Sequence, residues 1–386
     1  MKIIVLGTSN SVIGEKGYIA ALRRDHVVIN MSSGRVPYYS HIFKILKFKA
    51  IIESCDLLII DHYVNDINLY NDALGEDYKG NIDYFYKLLS CLNVPVINLL
   101  FPLKHGVDEN YLEYIKHMSI ENNISVIDLN RHAYEDWYFN DPIHLSHRVS
   151  YILGMELSSE FKRLGSVEKS RGGGLEDFPF FYMDTFPCCE SIKYSNSLID
   201  IEYKVVNKEM RISQPGSIKL ISIGYFNPNG HTAIKINKKN YSLDGDGYFH
   251  EAISKVIMGD VSFDIASCIS ECPNLINKIK GKNISSNPPN ITELLFFDTD
   301  NRISLRRSER PILNVEIKRF IDDCRCLVPK KNKLASDTVD WLRDTAIDFE
   351  ATNVKRSFDL MTLAAEHRSG PLILRKISKY RVMLGI

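Results

Sequence analysis

The sequence has little net charge of either sign and no long apolar run. Its 386 residues include 48 Lys and Arg against 48 Asp and Glu, so the formal net charge is zero. This balance argues against a nucleic-acid or membrane-surface protein whose binding rests on overall charge. No apolar run approaches the roughly 18 residues that a membrane-spanning helix needs. We therefore predict a protein that binds no nucleic acid and has no membrane span.

The first residues also lack the features of a secretory signal peptide. Such a peptide has an apolar region of roughly 7–15 residues followed by a small-residue cleavage site. Here polar residues follow soon after Leu6. We interpret the start of the chain as a β-strand and expect a cytoplasmic protein.

Cysteine is sparse, with 8 in the whole chain, and is not arranged as in common zinc sites. The pairs Cys268/Cys272 and Cys324/Cys326 do not match the usual C-x₂-C spacing. In a long chain without a secretion signal, free thiols are the better interpretation. We predict no disulfide framework, no metal site and no cofactor.

Residues 1–164 alternate between short apolar runs and amphipathic segments. Buried strands that alternate with helices predict a parallel sheet covered on both faces, and five strands fit a flavodoxin-like, three-layer α/β/α domain. The predicted strands are Lys2–Leu6, His26–Asn30, Asp56–Ile60, Val94–Leu100 and Ile124–Asp128, and the predicted helices are near 10–23, 41–54, 78–92, 107–122 and 145–163.

A second type of pattern follows a flexible linker at 165–176. Residues 177–300 show short alternating segments separated by turn residues, which predicts a β-sandwich of jelly-roll-like form. The predicted strands are 191–196, 199–206, 209–213, 217–226, 231–237, 253–258, 261–267 and 291–297, with a loop at about 273–290. Residues 301–386 are predicted to be a connecting segment followed by helices at about 336–350, 353–367 and 371–383.

Three residues have the types and placement of a serine-hydrolase triad. Ser9 follows the first strand and precedes a helix, at the sheet edge where ligands bind in open α/β folds. A serine hydroxyl needs a base to remove its proton, and Asp141 and His144 lie on one turn before the last helix of the domain. Taken singly, each signal has an ordinary structural explanation, such as a helix cap or a surface loop. Ser11 is a plausible cap and a rival nucleophile.

Two further residues follow neighbouring strands. Gly34 comes after the second strand, where a residue without a side chain lets a backbone N–H approach a substrate. Asn65 comes after the third strand, and its amide can stabilise an oxyanion. Turn formation explains either residue equally well when it is considered alone.

The order of these residues resembles the four motifs of the SGNH/GDSL hydrolase superfamily, over about residues 1–163. The resemblance implies a triad of Ser9, Asp141 and His144, and an oxyanion hole of Ser9, Gly34 and Asn65. Two positions depart from the family pattern: Thr8 stands where Asp is frequent, and Tyr63 stands where Gly is usual, which would narrow the pocket or alter the acyl preference. The neighbours Ser32 and Ser33 blur the alignment of Gly34.

Three further histidines and Asp66, the residue after Asn65, have structural interpretations. We expect His62 to be structural, His132 and His147 to lie at the surface, and Asp66 to cap a helix.

The resemblance implies a serine esterase or O-acyltransferase that forms an acyl-enzyme. By analogy with glycan-directed members, we expect an acyl ester of a carbohydrate, most simply an acetyl ester, in bacterial polysaccharide modification. Its partners are then an acylated carbohydrate or an acyl donor. Two alternatives remain: a binding or assembly protein that has lost catalysis, and a lipase or thioesterase, for which no extended apolar lid is evident. The C-terminal helices could mediate self-association or bind a protein partner.

Overall fold

In the computed structural model the chain forms two compact units, residues 1–320 and residues 321–386. The residues that the structure describes are 1–34, 36–72, 75–106, 108–132, 134–165, 178–186, 189–195, 200–228, 230–243, 245, 247–266, 288–301, 312–313, 315, 317, 320, 324, 336–368 and 370–386.

The first part of the chain contains a parallel sheet of five strands in the order β2-β1-β3-β4-β5. The strands are β1 (Lys2–Leu6), β2 (Val27–Asn30), β3 (Leu57–Ile60), β4 (Val96–Leu100) and β5 (Ser125–Asp128). Every residue of β3 and β4 is buried. Burial on both faces is what near-continuous apolar runs predict for a parallel sheet.

Eight described helices accompany this sheet, and their order along the chain confirms the predicted α/β class. They are α1 (Ser9–Ile13), α2 (Tyr18–Leu22), α3 (Tyr38–Lys47), α4 (Lys49–Glu53), α5 (Tyr63–Asp72), α6 (Gly75–Cys91), α7 (Glu109–Glu121) and α8 (His147–Leu164). The predicted helix at 10–23 is two short helices with a 3₁₀ turn between them, and α5 is an element that the sequence pattern did not predict.

Antiparallel sheets make up the β-rich part of the same unit. One sheet has the order β13-β10-β15-β8-β7, with β6 also paired to β15, and the other has the order β12-β11-β14-β9. The strands are β6 (Phe180–Met183), β7 (Glu190–Ser195), β8 (Asp200–Val205), β9 (Met210–Ile212), β10 (Ile218–Asn227), β11 (Thr232–Ile236), β12 (Lys239–Leu243), β13 (Gly247–Met258), β14 (Val261–Ile265) and β15 (Asn290–Asp298).

The two antiparallel sheets share one apolar core, which confirms the predicted second β domain as a sandwich. Ile212 and Phe263 from one sheet pack in the same cluster as Ile223 and Leu294 from the other. Strands β6 and β12 and the first half of β13 were not predicted. Most of the predicted loop at 273–290, and all of the predicted linker at 165–176 except residue 165, lie outside the described residues. The predicted boundary at 164 stays a prediction.

The second unit contains the helices α9 (Ser336–Asp348), α10 (Val354–His367) and α11 (Pro371–Leu384), as predicted. They enclose their own apolar cluster, in which Leu342, Met361 and Tyr380 are buried. Gly370 is the N-cap of α11, and Pro371 is its first residue. Pro371 explains this placement, because proline lacks a backbone N–H and is favoured at the first helical position.

The described part of the chain offers neither a membrane-spanning helix nor a cluster of metal ligands. Within the described ranges, no helix combines the length and apolar character needed to cross a bilayer. No group of three or more His, Cys, Asp or Glu side chains in those ranges is placed to hold a metal ion. Among the described residues, no disulfide joins Cys55, Cys91, Cys189 and Cys324 to one another.

Candidate active site

Ser9 is the third residue after β1 and the first residue of α1. Its side chain is half-buried at the carboxyl edge of the parallel sheet. Because the first backbone N–H groups of a helix have no acceptor within the helix, the N–H of Ser9 is suited to an external acceptor. Both its hydroxyl and its N–H are therefore placed for chemistry at the sheet edge.

Ser9, His144 and Asp141 form a continuous hydrogen-bonded chain. The Oγ of Ser9 is 2.8 Å from the Nε2 of His144, although the two residues are 135 positions apart. The Nδ1 of His144 is 2.7 Å from the Oδ2 of Asp141. The geometry matches the nucleophile, base and orienting carboxylate that a serine hydrolase needs.

The Asp141 carboxylate is held by three hydrogen bonds. Its Oδ1 accepts from the backbone N–H groups of Ile143 and His144, each at 3.0 Å. Partial burial alone would raise the pKa of Asp141, but the hydrogen bonds from His144 and Ile143 lower it below its usual value. The side chain therefore stays ionised at neutral pH and favours the His144 tautomer that carries its proton on Nδ1.

The turn that carries Asp141 and His144 is tied to the nucleophile by a side chain that the sequence did not single out. The Nδ2 of buried Asn10 donates to the carbonyl of Ile143 at 2.9 Å. Ser146 then caps α8 by accepting from Val149 N–H, which confirms the predicted helix start. Asn10 was missed because its partner is 133 residues away and no local motif marks the pair.

The loop that carries Gly34 is bonded to the loop that carries Ser9. The N–H of Gly7 donates to Ser32 Oγ at 2.9 Å, and the N–H of Ser33 donates to Gly7 O at 3.1 Å. A side chain added at Gly34 would meet no heavy atom within 4 Å, so this residue borders open space. Such a position suits a backbone donor that faces a substrate, and the role of Gly34 in the oxyanion hole stays a prediction.

Asn65 lies in the first turn of α5, not in a separate loop after β3. Its Nδ2 donates to Val36 O at 3.2 Å, which joins it to the loop that follows β2. An amide nitrogen has two hydrogens, so the second remains for another acceptor. The three motif loops are thus neighbours, and the role of Asn65 toward an oxyanion stays a prediction.

The expectation that Ser11 is a helix cap or a rival nucleophile is wrong. Ser11 lies inside α1 and is fully buried, with its hydroxyl bonded to Asp61 and, at 2.5 Å, to Tyr18 OH. A hydroxyl enclosed in this way has no path to a substrate. Thr8, at the position where the family often has Asp, donates from Oγ1 to the same Asp61 at 2.5 Å.

Asp61 is a second residue that sequence reasoning missed. It follows β3 and is almost completely buried. Burial raises its pKa, while the hydrogen bonds from Ser11 and Thr8 oppose that rise. The carboxylate beneath the nucleophile turn therefore comes from the neighbouring strand.

Three other side chains that the sequence analysis named are buried and make contacts within the protein: His62, Asp66 and Tyr63. His62 is fully buried between Asp66, at 2.7 Å, and Tyr86 OH, at 2.8 Å, as its structural interpretation predicts. Asp66 is also bonded to the N–H of Tyr38, the first residue of α3, at 3.2 Å. Tyr63 is buried in a stacked contact with Tyr111, with ring centroids 5.6 Å apart.

Two predicted surface histidines have different exposures. His147 is exposed, as expected. His132 is half-buried against Phe320, with ring centroids 6.2 Å apart, and burial lowers its pKa.

Solved structures with similar folds match the N-terminal two fifths of the chain. A lipase/acylhydrolase from Enterococcus faecalis has 18% identity, covers 42% of this chain and 96% of its own, and has a TM-score of 0.34. An acetyl xylan esterase has 17% identity, covers 43% and 100%, and has a TM-score of 0.34. The psychrotrophic esterase EstA from Pseudoalteromonas has 17% identity, covers 42% and 97%, and has a TM-score of 0.35. No protein-family model and no curated relative matches the chain.

The sheet order β2-β1-β3-β4-β5, with Ser9 after β1 and the Asp141–His144 turn before α8, is the arrangement that the sequence resemblance implied. The N-terminal part of the chain therefore has the parallel-sheet α/β architecture that the resemblance to the SGNH/GDSL hydrolases implied. A fold hosts many reactions, and identities below 20% do not carry a reaction from these solved structures to this chain. The chemistry therefore rests on the side chains of the site.

Proposed function

We propose that the protein is a serine esterase that cleaves acyl esters, most simply acetyl esters, of a carbohydrate. The observation that carries the proposal is the continuous chain of hydrogen bonds from Ser9 through His144 to Asp141. A binding protein that had lost catalysis would be under no chemical requirement to keep all three groups within hydrogen-bonding distance. The intact geometry favours an enzyme over that alternative.

The reaction proceeds in two steps through an acyl-enzyme. His144 Nε2 takes the proton of Ser9 Oγ as the oxygen attacks the ester carbonyl, and Asp141 stabilises the imidazolium that forms. The N–H of Ser9 and the donors of Gly34 and Asn65 face the developing oxyanion. His144 then gives its proton to the leaving alcohol, and water attacks the acyl-enzyme with His144 again as the base.

The same triad serves an O-acyltransferase if a sugar hydroxyl replaces water in the second step. Product analysis separates the two reactions, because an esterase releases free acetate and a transferase forms a new ester on an added sugar. We propose that the acyl group is transferred to water when no sugar acceptor is added.

The test is hydrolysis of p-nitrophenyl acetate by the full chain. Ser9→Ala and His144→Ala should each lower kcat by at least about a thousandfold, since triad members act as a unit. Ser11→Ala is the matched control, because it removes a serine hydroxyl two residues away that is buried and bonded elsewhere. Equal rates for wild type, Ser9→Ala and His144→Ala would show that the activity does not use this site.

A further inference from the structure

A cavity with both apolar and polar side chains in its lining lies between α3 and the β-rich part of residues 1–320, and Phe43, Phe48 and Ile201 form part of its wall. Its volume is about 280 Å³, near the lower end of the roughly 300–1,000 Å³ that is usual for ligand pockets. Its lining includes Ser33 from the Gly34 loop, Lys44 and Lys47 from α3, Asp184 and Thr185 after β6, and Glu202 from β8. The volume suits one ring-sized ligand rather than a long chain.

The cavity adjoins the catalytic loops through Ser33 and Lys44. Lys44 is 7% exposed, and its Nζ donates to Met31 O at 2.7 Å and to Ser33 Oγ at 2.6 Å. The N–H of Ser33 in turn donates to Gly7 O, two residues before the nucleophile. A ligand in the cavity would therefore contact the same loop that carries Gly34, and that loop is hydrogen-bonded to the turn before Ser9.

Three of the charged side chains that line the cavity, Lys47, Asp184 and Glu202, have ion-pair partners within the protein. Lys47 Nζ lies 2.8 Å from Asp184 Oδ2, and Glu202 is paired with Lys204. Buried Glu293 accepts from His250 Nδ1 at 3.0 Å and from Tyr248 OH. An anionic ligand would face three carboxylates and a metal cation would face two ammonium groups, so both are disfavoured. The occupant that fits is neutral.

The polar groups that remain suit a ligand that is rich in hydroxyls. Lys44 has three N–H donors, and its contacts within the described part of the chain use two of them. Carboxylate oxygens of Asp184 and Glu202 have further lone pairs that can accept from ligand hydroxyls. Hydroxyl groups of Thr185, Tyr248 and Thr292 also line the space. A ligand that offers both donors and acceptors on each oxygen matches this mixture.

We propose that this cavity is the subsite for one neutral sugar ring of the ester substrate, beyond the acyl group that reacts at Ser9. The inference rests on the esterase function proposed above, and it goes further by assigning the part of the protein that selects the alcohol half of the ester. The β-rich part of residues 1–320 then contributes to the reaction only by selecting the alcohol half of the ester. An ester with a small alcohol, such as p-nitrophenyl acetate, does not use the subsite.

The test compares two esters in a variant whose cavity is filled. Thr185 is exposed at the rim of the cavity, so Thr185→Trp adds bulk without disturbing a core. The sugar esters are mono-O-acetylated glucose, galactose, mannose and N-acetylglucosamine. We expect Thr185→Trp to raise KM at least about tenfold for any of these sugars that wild type hydrolyses, and to change kcat/KM for p-nitrophenyl acetate less than twofold. Thr299→Trp is the matched control, an exposed threonine that follows β15 and does not line the cavity.

A binding measurement keeps this test independent of catalysis. The same four mono-O-acetylated sugars are titrated by calorimetry into the Ser9→Ala protein and into the double variant Ser9→Ala/Thr185→Trp. We expect at least one sugar to bind Ser9→Ala and to bind the filled variant at least about tenfold more weakly. If no sugar binds, or if Thr185→Trp and Thr299→Trp behave alike, the subsite is wrong even where p-nitrophenyl acetate is cleaved. If sugars bind but Ser9→Ala cleaves p-nitrophenyl acetate like wild type, the esterase is wrong and the sugar site stands.

Discussion

Asp61 connects the residue before the nucleophile to a neighbouring strand. It accepts hydrogen bonds from Thr8 and Ser11, and a Cβ added at Gly7 would come within 2.4 Å of its Oδ2. Position 7 must therefore be glycine, because any larger residue would displace either the carboxylate or the turn. The hydroxyl at position 8 is suited to this carboxylate, whereas an aspartate there would place two acidic groups side by side in a buried site.

Exchanging the hydroxyl of Thr8 and the carboxylate of Asp61 tests whether their hydrogen bond organises the turn before Ser9. Thr8→Asp and Asp61→Thr are each expected to destabilise the protein by about 1–3 kcal/mol, since one creates a buried acidic pair and the other leaves hydroxyl donors without their acceptor. The double variant keeps one carboxylate and one hydroxyl and should recover more than half of the summed loss. Urea unfolding of all four proteins measures the coupling. Simple addition of the two single effects would show that the contact does not organise the turn.

The proposed role of Asn65 in the oxyanion hole can be tested by a change in kcat. Its amide is bonded to Val36 O, which leaves the second amide hydrogen for an oxyanion. Removal of one oxyanion donor costs about 10²–10³ in kcat in a comparable hydrolase. We therefore expect Asn65→Ala to lower kcat for p-nitrophenyl acetate by about that factor with little change in KM. A loss confined to KM would place Asn65 in substrate binding instead.

Strand positions in the parallel sheet could be predicted closely because each strand is a short, largely apolar run. The pattern located Lys2–Leu6 without error and the other four strands within two residues. Helix α5 was missed because it follows β3 almost directly, where turn residues were expected. Strand β12 was missed because its hairpin turn uses Asn237 and Lys238 at positive φ, without the glycine that usually marks such a turn.

In the candidate site, residues that belong to a local sequence motif could be predicted, and residues whose partners are distant in sequence could not. Asp141 and His144 are close in sequence, and the order of motifs placed Ser9 and Asn65 on the same sheet edge. Asn10 and Asp61 could not be predicted, because their partners are 133 and 53 residues away and depend on the fold itself. Sequence patterns therefore point to the proposed reacting groups, while the groups that contact and position them emerge only from the structure.

Helix α3 carries a buried ammonium group whose titration depends on folding. Burial lowers the pKa of Lys44 from 10.5 to about 8, although attraction to Glu293 opposes the shift. Between about pH 8 and 10.5 the unfolded chain holds this proton and the folded protein has lost it, so the unfolded state binds more protons. Linkage then requires the contribution of this group to stability to increase as the pH rises through that window.

Comparison with Lys44→Met isolates this contribution. Other titrating groups are common to both proteins and cancel in the difference between their free energies of unfolding. We expect wild type to gain on the order of 1–3 kcal/mol relative to Lys44→Met between pH 7.5 and pH 10, measured by urea unfolding at each pH. A difference that is flat across this range would mean that Lys44 keeps its proton in the folded state.

At the scale of the molecule, residues 321–386 form a compact unit with their own core. Leu342 in α9 is 5% exposed within that core, while Leu99 in β4 is fully buried in the parallel sheet. Each leucine-to-alanine change is expected to cost about 2–5 kcal/mol in the unit that contains it. Because all the proposed catalytic residues lie in residues 1–320, only Leu99→Ala should lower the temperature at which esterase activity is lost.

Calorimetry paired with residual p-nitrophenyl acetate hydrolysis tests this independence. Leu342→Ala should move one heat-absorption transition downward by several degrees and leave the activity-loss temperature within about 1 °C of wild type, because local stability differs between separate cooperative units. Leu99→Ala is the matched change and should move the activity-loss temperature itself. If Leu342→Ala lowers that temperature as much as Leu99→Ala does, the C-terminal helices are part of one cooperative unit with the esterase, and their role is to support its stability.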